Sequence, residues 1–125
     1  MIAVSDVPAS SRFYATILGA ESSHGGESYE QITSEGELIL QLHRIDEEDH
    51  HGRLATEDVP LGNGALLWFE VADFDAAAER AKAIGAVIQR DIEINPNALQ
   101  KEIWLRDPDG YLVVLAGPAR YRPRG

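Results

Sequence analysis

Ile103-Trp104-Leu105-Arg106-Asp107-Pro108-Asp109-Gly110-Tyr111-Leu112-Val113-Val114-Leu115 is the stretch from which the rest of the chain is read. Two apolar runs flank Asp107-Pro108-Asp109-Gly110, where Pro108 presets φ and Gly110 can take the positive φ that closes a hairpin. The stretch predicts two antiparallel strands. A weaker copy lies upstream, where Ser34-Glu35-Gly36 turns the chain into Leu38-Ile39-Leu40-Gln41-Leu42-His43.

The copy extends beyond the turns. Val4-Ser5-Asp6 matches Val71-Ala72-Asp73, and Leu18-Gly19-Ala20 matches Ile84-Gly85-Ala86. Between those marks each half carries a helix. In the first, Asp6 caps the start, Phe13 and Ile17 fall at i, i+4, and Gly19 stops it, giving a helix over 9–18. In the second, Asp73 opens the alanine-rich run that ends at Gly85. Residues 21–24, 28–33, 38–44, 65–71 and 87–94 read as strands, and Asn95-Pro96-Asn97 as a turn. Each half is therefore βαβββ, a unit that cannot bury one face of its sheet alone and must pair with another. Residues 46–63 are charged, lack periodicity and read as a linker or flap. One domain over 1–125 follows, with a first module over about 1–45, a second over about 64–117 and a basic tail over 118–125 that holds Arg120, Arg122 and Arg124.

Composition closes several classes of function. The 125 residues hold no cysteine, so disulfides, thiolate nucleophiles and cysteine-ligated metals are excluded. A net charge of −10 and a pI near 4.7 repel nucleic acid and anionic lipid, and a cationic ligand is easier to accommodate. No apolar run approaches the ~20 residues of a membrane-spanning helix, and Asp6 comes too soon after Met1 for a signal peptide, so a cytoplasmic protein is expected.

This order of motifs, with Ser11-Arg12-Phe13-Tyr14, Leu18-Gly19-Ala20 and Asp107-Pro108-Asp109-Gly110-Tyr111, resembles the vicinal oxygen chelate superfamily of glyoxalases, bleomycin-resistance proteins and extradiol dioxygenases. The resemblance implies an α+β fold of two βαβββ modules forming a curved mixed sheet around a cup, in a homodimer. It also implies where a family metal would be held. The first such position lies upstream of Met1, and the second falls on Gln41, or on His43 if the register slips by two. The third is Leu66 and the fourth Val114, neither of which can ligate a divalent ion. No cofactor is expected on that basis.

Strand alternation then extends the cup. If Leu66 and Val114 face in, as the resemblance implies, Trp68 and Glu70 share the face of Leu66, while Ile39 and His43 share that of Gln41. Trp104 then faces in with Glu102, leaving Ile103 and Leu105 for the helix side. A cavity with two indoles and carboxylates suits a flat aromatic or cationic molecule, since indole faces attract cations and rings by ~0.5–2 kcal/mol. The stretches 59–68 and 101–108 look most like the bleomycin-resistance branch, whose members sequester a drug unchanged. Binding by Gln41, His43, Leu66, Trp68, Glu70, Glu102, Trp104 and Val114 is the first expectation. The alternative is a lyase, isomerase or dioxygenase. It would hold Zn, Ni, Fe or Mn through Gln41 or His43 with Glu70 or the His50-His51 pair, or use His43 or Glu70 as a general base without metal.

Overall fold

The computed structural model describes residues 1–23, 25–46, 53–56, 58–97 and 99–118. The first half contains β1 (Ile2–Val4), α1 (Val7–Leu18), β2 (Glu21–Ser22), β3 (Tyr29–Ser34) and β4 (Glu37–Arg44). The second contains β5 (Leu66–Glu70), α2 (Phe74–Ala83), β6 (Val87–Asn95), β7 (Gln100–Arg106) and β8 (Leu112–Ala116). Both halves are βαβββ, and the expected curved sheet is made of two four-stranded mixed sheets, ordered β1-β4-β3-β2 and β5-β8-β7-β6. In each, the first strand runs parallel to the last and the remaining pairs are antiparallel.

Local chemistry accounts for the elements. Helix α1 starts two residues before the apolar spacing suggests, because the Asp6 side chain accepts from the Ala9 amide at 3.0 Å and Pro8 sits in the first turn. There, a missing N–H costs nothing. Gly19 ends the helix at φ 61. Asp73 caps α2 in the same way, accepting from the Ala76 amide at 3.1 Å. No helix among the described residues is long and apolar enough to cross a membrane.

The two helices pack on each other, and one core runs through both halves. Ile2, Val4, Ile32, Leu40 and Leu42 from the first sheet join Ile103, Leu105, Val113 and Leu115 from the second. Their alternation fixes one face of each sheet toward the helices and the other away from them.

The Asp107–Gly110 turn fastens the second half to the first. Asp107 Oδ2 accepts from the Tyr14 hydroxyl of α1 at 2.6 Å, and its Oδ1 accepts from the amides of Asp109 at 2.8 Å and Tyr111 at 2.9 Å. Asp109 accepts from the amide and hydroxyl of Ser5, at 3.1 and 2.5 Å. The Tyr111 hydroxyl donates to the Ala3 carbonyl at 2.8 Å. Burial pushes the Asp107 carboxyl above the usual carboxylate range even though three donors favour its charged form. Burial, then the neighbouring Asp107 charge, holds the Tyr14 phenol far above its ordinary value.

Candidate functional site on the outer face of the second sheet

In β5, Leu67 and Phe69 pack against the core, so Leu66, Trp68 and Glu70 stand on the opposite face. Ladder register carries that face across the sheet. Trp68 lies opposite Val114, Val114 opposite Trp104, and Trp104 opposite Arg90. The two indoles thus flank a valine with no exposed surface, while Trp68 itself is 46% exposed. One step along, Glu70, Ala116, Glu102 and Glu93 form the next row. One step the other way, Leu66, Leu112, Arg106 and Val87 form another. Ile103 and Leu105 are in the core, which puts Trp104 and Glu102 on this outer face.

The polar groups of this face are engaged with one another. Glu102 is only 6% exposed; its two oxygens accept from Trp104 Nε1 and Asn95 Nδ2, each at 3.1 Å. A buried carboxylate held by two donors is a positioned group, unlike a strand-end glutamate in water. The Arg90 guanidinium lies 4.4 Å from the centre of the Trp104 ring and pairs with Glu93 at 3.2 Å. One cation already stands at that indole, supplied by the protein itself.

The first sheet presents a different outer face. Gln41 is half-buried opposite Gln31, and Gln31 donates through Nε2 to the Tyr29 hydroxyl at 3.2 Å. His43 is 5% exposed, lies opposite Tyr29 with the rings 6.3 Å apart and nearly edge-on, and has Nδ1 3.1 Å from the Arg44 carbonyl. That contact requires a proton on Nδ1. Ile39 and Glu70, from opposite halves, line one depression at the junction together with Arg80.

At two of the positions where the resemblance places a metal ligand, Leu66 and Val114 stand on the outer face and offer only hydrocarbon, with Val114 fully buried between the two tryptophans of its row. Among the described residues, no three carboxylate or imidazole side chains come together as a metal site. His50 and His51, and the arginines of the tail, lie outside the described residues.

Sequence alternation did not single out four residues that take part here. Tyr29 and Gln31 share the parity of Gln41 through the β3–β4 pairing, so a ladder register could have placed them. Arg90 was not accessible that way, because the β6–β7 register shifts on both sides of it. Asn95 sits at the strand's end, where the turn directs it back to Glu102.

Residues 1–115 match the family model described as the Glyoxalase/Bleomycin resistance protein/Dioxygenase superfamily. No curated protein sequence matches the chain. Among solved structures, the chain is similar to a glyoxalase-related enzyme from Fulvimarina pelagi, with 20% identity, TM-score 0.72 and coverage of 94% of this chain and 84% of that one. A protein from the mobile metagenome of V. Pseudocholerae is 24% identical, with TM-score 0.69 and coverage of 95% and 91%. A glyoxalase/bleomycin resistance protein/dioxygenase from Alicyclobacillus acidocaldarius is 20% identical, with TM-score 0.63 and coverage of 93% and 86%. At these identities the likeness is one of fold.

Proposed function

The chain belongs to the glyoxalase/bleomycin resistance protein/dioxygenase superfamily, and on that premise we propose that it binds a small planar molecule against its second sheet and returns it unchanged. The row Trp68, Val114, Trp104 carries this reading. Two indoles on either side of a buried aliphatic side chain make an apolar platform. Such platforms hold rings by stacking and by removal of apolar surface from water, about 25 cal/mol for each Å² covered. This reading invokes no resident metal: two of the positions where the resemblance would place a ligand are Leu66 and Val114.

A second copy of the chain supplies the facing wall. Trp68 and Leu66 are nearly half exposed, and Leu38 and Ile39 of the first sheet are exposed as well. An aromatic platform left this open binds weakly, and a homodimer would enclose it.

Indole fluorescence tests the reading. A panel of planar aromatic molecules titrated into chelator-treated protein should yield ligands that quench it. Trp68→Ala or Trp104→Ala should each weaken binding on the order of 10-fold or more. Unchanged affinity in both variants would remove this face as the site. Binding that appears only after adding Zn, Ni, Fe or Mn would instead favour the metal-dependent lyase, isomerase or dioxygenase. Light scattering should give twice the chain mass; a monomer that binds equally well would dispense with the second copy.

A further inference from the structure

We propose that the ligand of this face carries an acid group and that Arg106 receives it. The proposal rests on the planar-ligand reading above and adds the sign of the ligand's charge. Arg106 shares its row with Leu66 and Leu112, one step along the strands from the tryptophan row, or roughly 7 Å away. A ring lying against Trp68 therefore has Leu66, Leu112 and Arg106 within reach of a short substituent.

Arg106 is charged, and its guanidinium is held in place by neutral groups. Its Nε donates to Gln89 Oε1 at 3.2 Å and its Nη1 to the Gly110 carbonyl at 3.0 Å, both neutral acceptors. No described carboxylate forms an ion pair with it. Asp109, which borders the same depression, keeps its charge but turns both oxygens to Ser5, so it forms no ion pair with Arg106. The Nη2 amino group thus keeps its donors, and a guanidinium fixed at Nε and Nη1 presents them in an orientation suited to a carboxylate.

The space beside it is of ligand size. A depression of about 710 Å³ is lined by Arg106, Leu66, Leu112, Gly110 and the loop running from Pro60 to Ala65. Small-molecule sites commonly enclose ~300–1,000 Å³. Gly62 presses the loop against the turn: a Cβ there would lie 3.0 Å from the Tyr111 Cα and 3.1 Å from the Gly110 carbonyl oxygen. The wall opposite Arg106 is therefore preformed. On the other side of the tryptophan row, Glu102 already has its donors and Arg90 already occupies an indole face. Those two features leave a cationic ligand less to bind than the sequence alone suggests. The protein's net charge of −10 opposes an anion at long range, but that repulsion is screened beyond ~8 Å at physiological salt.

Three probes with one ring system separate the possibilities: 2-naphthoate, 2-naphthamide and 2-naphthylmethylammonium, each titrated into the full chain while indole fluorescence is followed. Naphthoate should bind on the order of 10-fold tighter than the amide, with the ammonium weakest. Arg106→Gln should bring naphthoate down to the amide's affinity while leaving the amide unchanged, which also reports that the variant's site is folded. Arg106→Lys should restore part of the preference, and Arg90→Gln should leave it in place. Equal binding of acid and amide by the wild type, or a preference that survives Arg106→Gln or follows Arg90, would overturn the assignment while leaving the planar platform standing. Failure of all three probes to bind would overturn the platform itself.

Discussion

The turn at Ser34–Gly36 and the turn at Asp107–Gly110 hold equivalent places, each joining the last two strands of its half. The first is held by little. Glu35 and Gly36 are exposed, and a Cβ on Gly36 would meet nothing within 4 Å. The second reaches into the other half through Tyr14, Ser5 and Ala3. The outer faces diverge in the same way. Where the first sheet sets Gln31 against Gln41, the second sets Trp104 against Val114. A duplicated unit has thus divided its work, with the fastening turn and the two-tryptophan row both in the second half. The shared fold is kept by the alternation of core residues, which leaves turns and outer faces free to differ.

Removing the fastening should have the largest effect. Asp107→Ala strips the acceptor from the Tyr14 hydroxyl and from two amides. It should cost about 3 kcal/mol or more in urea unfolding. Glu35→Ala in the equivalent turn should stay within about 0.5 kcal/mol. Similar losses from both would abolish the distinction between the turns.

Tyr14→Phe should cost about 1–2 kcal/mol at pH 7, since it deprives a buried carboxylate of a donor. Its pH dependence sharpens the point. The folded phenol is raised above the unfolded value, so above pH ~10 the unfolded chain loses its proton first and holds fewer protons than the folded one. Wild-type stability must therefore fall as pH rises, by up to about 1.4 kcal/mol per pH unit from this group. Tyr14→Phe should show a shallower decline, and its deficit should narrow between pH 9 and pH 11. Parallel curves would mean that Tyr14 ionises as readily when folded as when unfolded. Asp107 works from the acid side with the same sign. Its raised carboxyl contributes most below the ordinary carboxylate value and loses that contribution as pH climbs through the folded one.

The smallest contrast concerns the faces. Trp104→Phe removes one of the two donors to the Glu102 carboxylate and leaves a smaller, weaker aromatic face beneath Arg90. A cost of about 1 kcal/mol is expected. Gln31→Leu at the corresponding place in the first sheet should change stability by less than about 0.5 kcal/mol. A reversed order would place the better-organised face on the first sheet.

Much of this arrangement could be read from residue order. The parity of the strand through Trp104 follows from the turn beside it, and Ile103 and Leu105 do lie in the core. Both helix caps follow from Asp6 and Asp73 ahead of apolar or alanine-rich runs. The rest depends on long-range approach. Tyr14 and Asp107 are 93 positions apart, and no local pattern pairs them. Arg90 reaches Trp104 only because β6 breaks its own register, so a period of two cannot locate it. The two-indole row was accessible because the β5–β8 and β7–β8 ladders are both unbroken.

The chain has two tryptophans, so labelling with 5-fluorotryptophan gives two resonances, both on the proposed platform. Titration with 2-naphthoate, its binding followed independently by its own fluorescence anisotropy, addresses that platform directly. The account predicts that both ¹⁹F resonances shift along one saturation curve with the dissociation constant given by anisotropy. Naphthoate binding that leaves both resonances in place would contradict it.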